Sequence, residues 1–403
     1  MNSEEPVPDS TALSTSLIHH PYQPPGGFGS VQPAVHKAST VIFENVAALR
    51  ARDWKHKTGY TYGLHGTPTS FMLEERIATL EGGLQTLIVP SGLAAITLVD
   101  MALLSAGDEV LLPGNAYGPG KELARNELAR WGIGHRFYDP ADPAALVAMI
   151  GPATKLVWLE AAGSVTMEFP DLPALVAVVR EKGVTVVLDN TWGAGIAFDA
   201  FDLCPGEQPA LGVDISVQAL TKYASGGADL LMGSVTTRDN ALHLRLKFTH
   251  MRMGWGVGAN DIEAVLRSLP SLEIRYAAQD RAARTLATWW HCRPEVAQVL
   301  HPAIAQSPGH AHWKALCTQA AGLFSIVFDA RYGSAQIDAF LDALRLYKLG
   351  YSWAGPISLV VPYDLSVLRP NSGQRGTLVR FSIGLEGVDD LIEDARQALA
   401  ALA

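Results

Sequence analysis

Cysteine is scarce in this chain: there are three, Cys204, Cys292 and Cys317. They are far apart and odd in number, which excludes a disulfide framework and the paired spacing of a zinc site and favours a reducing compartment. Charge is also sparse. Asp, Glu, Lys and Arg make up 18% of the residues, and the acidic excess leaves a formal net charge of -9. A nucleic-acid binder needs a basic face, so this balance argues against one. No run of like charge is long enough to be an interaction tail. No apolar stretch approaches transmembrane length. The opening "MNSEEPVPDSTALS" is acidic and polar, unlike a signal peptide. Repeats and low-complexity tracts are absent. These absences predict a soluble, cytoplasmic protein. What the chain has in quantity is apolar side chains, 48% of 403 residues, enough for a large core and more than one domain.

Residues 1–60 read as an irregular arm rich in Pro and Gly ("HHPYQPPGGFGSVQPAV"), with too little core of its own and so expected to lie on another surface, such as another subunit. From residue 81 onward, apolar runs such as "TLIVP", "EVLLP", "KLVWLE", "VTVVLD" and "VDISVQAL" alternate with helical patterns. That alternation predicts an α/β domain over 61–264 with a mostly parallel sheet covered on both faces. Residues 265–403 read as a smaller α+β domain. It has strand candidates in "GLFSIVFDA" and "TLVRFSIGLE" and a last helix with Leu391, Ala395, Ala398 and Leu402 on one stripe.

In an open parallel sheet, ligands bind beyond the carboxyl ends of the strands. The polar residues at those ends are therefore the candidates. Ser91-Gly92-Leu93 opens a helix whose free N–H groups suit a phosphate, or is an ordinary N-cap. Tyr117, in "GNAYGPG", is an aromatic platform or a surface tyrosine. Asp189 ends a fully apolar strand, where a carboxylate needs a partner: a protonated ring nitrogen, or a structural hydrogen bond. Thr221 and Lys222 follow the strand "VDISVQAL" and precede Gly226-Gly227. Alone, Lys222 reads as a snorkelling side chain. Together these groups match one ligand. Pyridoxal phosphate needs an imine-forming lysine, an acid for its pyridinium nitrogen, an aromatic ring over its own and a helix N-terminus for its phosphate. Two other patterns carry less. "GHAHW" places His310 and His312 two apart with no acidic or cysteine partner near in sequence, and reads as a solvated loop rather than a metal site. "GGFGS" is poorly placed for a dinucleotide fingerprint.

From about residue 30 onward the chain resembles the Cys/Met-metabolism family of pyridoxal-phosphate enzymes. The motifs that carry this are "YGLHGTPT", "LEGG", "PSGLAA", "NAYGP", "GSVTME", "LDNTWGAG", "DISVQALTKY", "YSWAG" and "GTLVRFSIGLE". The resemblance implies the aspartate-aminotransferase-like fold (fold type I). It implies Lys222 as the cofactor-bearing lysine and proton-transfer base, and Tyr117 as a second catalytic residue that stacks on the cofactor ring. It implies Asp189 at the pyridinium, and Gly92, Leu93 and Thr221 at the phosphate, joined by Tyr62 from a neighbouring subunit of a homotetramer. It assigns Arg380, helped by Ser352, to the substrate α-carboxylate, with Trp353 beside them. A guanidinium suits that task because it binds carboxylates bidentately. Ser164 and Trp353 resemble the β-eliminating branch. The implied reaction is therefore carbon–sulfur β-elimination from an amino-acid thioether, L-cystathionine, giving homocysteine, pyruvate and ammonia. A γ-lyase, a γ-synthase or a transaminase lies within the same fold, and a non-catalytic binding or regulatory protein is the alternative of another class. Three departures stand out. Leu64 occupies the place of the family's phosphate-binding arginine, Ala219 that of a serine, and Ile357 precedes Ser358 where relatives often have glutamate. His65 is then a candidate donor to phosphate, a partner for the substrate's distal carboxylate, or a solvated loop histidine.

Overall fold

The computed structural model describes residues 13–18, 22, 26–27, 29–206, 209–369 and 376–402. The rest of the sequence-defined arm therefore lies outside the described residues. Residues Met1–Ala34 and Val35–Ala403 form separate compact units. The first contains the helix Leu13–Ile18. Within the second, Val46–Arg50 forms a helix capped by Asn45, and Thr40 bridges to Tyr62. The arm is thus less irregular than its Pro and Gly content suggests, because short polar caps suffice to start a helical turn.

The larger unit is built on two sheets. The first has seven strands: β1 (Gln85–Val89), β2 (Glu109–Pro113), β3 (Gly134–Tyr138), β4 (Thr154–Glu160), β5 (Thr185–Asp189), β6 (Ile215–Gln218) and β7 (Gly233–Thr237). Their order is β1-β7-β6-β5-β4-β2-β3. All run the same way except β7, which pairs antiparallel with β1 and β6. Apolar clusters fill both faces, one around Leu111, Leu159, Val186 and Leu188 and the other around Val89, Val110, Leu156 and Val187. Alternate residues of each strand supply the two clusters, which is why the strands read as continuous apolar runs. The second sheet contains β8 (Val296–Leu300), β9 (Leu323–Phe328), β10 (Lys348–Leu349), β11 (Leu359–Asp364) and β12 (Thr377–Ser382), in the order β10-β11-β12-β9-β8. Its core includes the stripe Leu391, Ala395, Ala398 and Leu402. "GHAHW" is not a loop: His310–Leu316 is a helix, and His310 Nδ1 is 2.8 Å from the Pro302 carbonyl.

Two carboxyl groups are enclosed by this core. Asp100, 2% exposed, accepts a 2.8 Å hydrogen bond from Trp158 Nε1. Glu81 is bonded by the Ser216 hydroxyl. Burial pushes both up to about 7. The unfolded chain releases these protons near pH 4, so each group costs stability progressively as pH rises from 4 to 7. Asp100→Asn keeps an acceptor for Trp158 and cannot ionise. Its melting temperature is expected to exceed the wild type's at pH 8, with the gain disappearing near pH 4. A constant difference across that range would remove Asp100 as the titrating group.

Candidate functional site

The carboxyl ends of β1, β2, β4, β5 and β6 open into one cavity of about 620 Å³. Lys222, Asp189, Tyr117, Thr221, Gly92 and Leu93 line it, and Ser352, Trp353 and Arg380 close it from the other side. Lys222 Nζ donates to Ser352 Oγ at 2.6 Å and lies 5.7 Å from the centre of the Trp353 ring. Arg380 Nη2 donates to the Ser352 carbonyl at 3.2 Å, so one residue ties the amine to the guanidinium. Ser352 and Ala354, either side of Trp353, have φ values of 87° and 64°. Non-glycine residues adopt this left-handed backbone at a cost, and such strain concentrates at functional sites. Behind the lysine, Gly226 has φ 64°, and a Cβ there would meet Arg275 Nη1 at 2.2 Å. Arg275 Nη1 in turn donates to the Tyr223 carbonyl at 2.8 Å, fixing the turn after Lys222.

At the opposite wall, Ser91 caps the helix Gly92–Leu103 by accepting from the Ala94 N–H. The Gly92 and Leu93 N–H groups have no hydrogen-bond partner among the described residues, and both residues line the cavity. A Cβ on Gly92 would sit 2.6 Å from Ala219 Cβ, so glycine is what allows this helix end to approach the β6 loop. Ala219 N–H donates to Thr191 Oγ1 at 2.9 Å, and Thr191 Oγ1 donates to Asp189 at 2.6 Å. The Thr191 N–H adds a second bond to the same carboxylate oxygen at 3.0 Å.

Burial dominates the electrostatics of the site. Burial, reinforced by Arg380, pushes Lys222 down to about 8, against the pull of Asp189. Burial raises Asp189 despite its bonds to Thr191. Glu160, paired with Asp189 in the β4–β5 register, is raised by burial and then by the Asp189 charge. Two neighbouring carboxylates in a dry site favour sharing a proton unless a cation enters between or beside them. The buried Nε of Arg380 has no hydrogen-bond partner among the described residues. The cavity therefore presents unused donors at both ends, suited to anions, and a carboxylate suited to a cation.

Comparison with known proteins gives these features a family. The model of the Cys/Met metabolism PLP-dependent enzymes matches residues 14–400. The chain belongs to that family. Cystathionine beta-lyase of Bordetella avium is 36% identical over 95% of this chain and 96% of its own length. Cystathionine beta-lyase of Salmonella typhimurium is 34% identical over 97% and 98%. Among solved structures, a cystathionine gamma synthase from Xanthomonas oryzae in complex with cystathionine matches with a TM-score of 0.84 at 28% identity, covering 94% of this chain and 95% of that one. Pyridoxal phosphate is the cofactor, and the residues present fit it. A phosphate suits the free helix N-terminus, a pyridinium meets the carboxylate that burial penalises, and a lysine whose charged form burial disfavours stands between.

Two sequence candidates are not in this cavity. Tyr62 and His65 line a separate one, of about 830 Å³, with Lys247, His250 and Glu74. His65 is half-buried rather than solvated; its Nδ1 is 2.8 Å from Thr61 Oγ1. Two residues of the Lys222 cavity escaped the sequence reading. Glu160 accepts the Tyr117 N–H at 2.7 Å and so positions that loop. It ends β4 as Asp189 ends β5, and the same strand-end rule points to it. Arg369 also lines the cavity and donates to the Ser164 carbonyl at 3.0 Å, with no local pattern to signal it. The glutamate missing beside Ser358 is supplied from elsewhere: Glu386 accepts from the Ser358 N–H at 2.7 Å and the Ser358 hydroxyl at 2.8 Å.

Proposed function

We propose that this chain is a carbon–sulfur β-lyase that cleaves L-cystathionine to homocysteine, pyruvate and ammonia. The observation that carries the reading is the Lys222–Ser352–Arg380 linkage. It sets an amine whose pKa burial lowers to about 8 beside a guanidinium with an unused buried donor, so a substrate clamped by its α-carboxylate presents its α-carbon to the amine. Arg380 binds that carboxylate. Lys222 takes the α-proton onto Nζ as general base. Bound pyridoxal phosphate supplies the electron sink that makes this proton acidic. Tyr117 covers the cofactor ring, and Glu160 fixes its loop. Asp189 neutralises the pyridinium, and Thr191 orients Asp189. Gly92, Leu93 and Thr221 take the phosphate; the Thr221 hydroxyl accepts from the Met232 N–H at 3.0 Å and donates to the Met232 carbonyl at 3.3 Å, a long bond that a phosphate oxygen would replace. Trp353, against Tyr223 at 5.4 Å, holds the wall where the β-substituent departs. The Cβ–S bond breaks, its electron pair leaves with sulfur as homocysteine thiolate, and the three-carbon amino fragment hydrolyses to pyruvate and ammonia.

The two relatives above, matched over nearly their whole length, support the β-lyase reading. The γ-synthase neighbour defines the competing one, together with γ-elimination. Cystathionine incubated with the holoprotein is expected to yield pyruvate and homocysteine. Predominant 2-oxobutyrate and cysteine would make it a γ-lyase, and an unchanged cofactor spectrum with any amino acid would make it a binding protein. The same reading takes the protein as a cytoplasmic homotetramer with an arm over 1–60, a cofactor domain over 61–264 and a smaller domain over 265–403. No helix among the described residues is long and apolar enough to cross a membrane.

A further inference from the structure

Tyr117 has little packing of its own to fix it. The residue lines the Lys222 cavity but is 44% exposed, and it opens only a short helix, Gly118–Leu123, without a side-chain capping bond. Where its ring stands over a cofactor is therefore decided by the backbone that carries it. That backbone is well held. Glu160 accepts the Tyr117 N–H, and Lys121 Nζ donates to the Gly114 carbonyl at 2.9 Å. The Ser164 N–H donates to the Asn115 carbonyl at 2.9 Å, and the Asn115 side chain donates to Glu168 Oε2 at 3.1 Å. The last two contacts come from one turn, residues 163–168, which follows β4.

This turn is strained. Val165 and Met167 have φ values of 69° and 57°, and for a β-branched residue such as Val165 that is a genuine outlier. Strain of this kind persists only where the surroundings over-determine it, and it concentrates at functional sites. The second sheet supplies the constraint. Ser325 on β9, fully buried, donates from Oγ to the Val165 carbonyl at 2.6 Å. Arg369 follows β11 and the short helix Leu365–Leu368. Its Nη2 donates to the Ser164 carbonyl at 3.0 Å and to the Thr166 hydroxyl at 2.7 Å. Thr166, 2% exposed, donates in turn to Glu168 Oε2 at 2.6 Å, the oxygen that also accepts from the Asn115 amide. Both bonds of Arg369 thus lead to Asn115, two residues before Tyr117. One route runs through the Ser164 backbone and the other through Thr166 and Glu168. Charge agrees with geometry: the Glu168 and Glu160 carboxylates favour the charged guanidinium against its burial.

We propose that Arg369 is a positioning residue for Tyr117: it clamps the strained turn 163–168 and, through Asn115, sets the loop that carries Tyr117 over the cofactor ring. The role of Arg369 rests on that of Tyr117, whichever bond the enzyme breaks. Arg369 also lines the cavity, so direct contact with substrate is the rival explanation. The test compares the wild-type holoprotein with Arg369→Met, Tyr117→Ala and the double variant. Circular dichroism of the cofactor absorption band reads the surroundings of the ring. kcat and KM are measured with cystathionine and with S-methyl-L-cysteine, a thioether without the second amino-acid head. Arg369→Met is expected to shift the dichroism in the same direction as Tyr117→Ala and to lower kcat for both substrates roughly tenfold to a hundredfold, the scale of a ~1 Å misplacement. Arg369→Lys, which keeps a charged donor, should recover part of the loss. In the Tyr117→Ala background Arg369→Met should move neither readout further, because the group it positions is gone. Full additivity of the two substitutions overturns the proposal. So does a KM rise confined to cystathionine, which makes Arg369 a substrate contact. A lower melting temperature with dichroism and kcat unchanged also overturns it, leaving Arg369 a purely structural role. If Tyr117→Ala leaves both readouts at wild-type values, the role of Tyr117 is overturned and that of Arg369 with it; if Tyr117→Ala moves them and Arg369→Met does not, the role of Arg369 alone is overturned. Should Arg369→Met fail to fold, Thr166→Val, which removes the hydroxyl between Arg369 and Glu168, is read the same way, with smaller changes in the same direction expected.

Discussion

Lys222→Ala is expected to give a folded protein that binds pyridoxal phosphate without covalent attachment and cleaves cystathionine on the order of 10⁴-fold more slowly, the upper end for loss of a general base. The effect lies at that end because the other lysine lining the cavity, Lys121, is held by the Gly114 carbonyl at 2.9 Å. Among the described residues, Lys222 is the one lysine in contact with both Ser352 and the Trp353 ring, and the neighbouring cation, Arg380, cannot accept a proton at working pH. Folding is not expected to suffer. The substitution removes an amine that burial and Arg380 already disfavour in its charged form, so the melting temperature of the cofactor-free variant should match or exceed that of the cofactor-free wild type. Pyruvate release and the cofactor absorption band are the measurements. Turnover within tenfold of wild type would remove Lys222 from the chemistry.

Arg380→Leu is the second large effect. Arg380 stands on β12 opposite Val361 of β11 and Ser325 of β9, which leaves its backbone no freedom to retreat. Its guanidinium is anchored on one side by the Ser352 carbonyl and lies 5.9 Å from the Tyr363 ring, with Nε unused. Removing one member of a desolvated charge pair costs about 2–5 kcal/mol, so kcat/KM for cystathionine should fall roughly 30-fold to several thousandfold. Cofactor absorbance should stay as in wild type, because Arg380 faces the substrate end of the cavity. Arg380→Lys should recover only part of the loss, since an ammonium cannot reproduce the two parallel bonds of a guanidinium. A loss confined to cofactor binding would assign Arg380 to the wrong ligand.

How far the sequence reveals this site depends on where each residue sits relative to a pattern. β1, β2, β4, β5 and β6 are apolar runs ended by a polar residue, and that contrast makes Asp189, Tyr117 and Lys222 visible. Glu160 obeys the same rule but is easily read as the end of the run "KLVWLE" rather than as a site residue. β7 is hidden because "GSVTT" lacks an apolar alternation; its threonines are buried by side-chain hydrogen bonds, as Thr236 is to Thr86 at 2.8 Å. Arg369 and Ser352 reach the cavity only through tertiary packing, which no local window encodes. Lys247 is harder still. Its helix, "NALHLRLKFTHMRM", looks polar and exposed, yet His243, Leu246, Lys247 and His250 form its buried face. Polar residues on the inner face of a helix cancel the periodic contrast on which amphipathic reading depends.

One cofactor on one lysine is the central expectation. Borohydride reduction of the holoprotein, followed by proteolysis and mass spectrometry, reads that attachment without relying on turnover. A reduced pyridoxyl group is expected on the peptide containing Lys222 and on no other. A pyridoxyl group on a different lysine, with Lys222 unmodified, would contradict it.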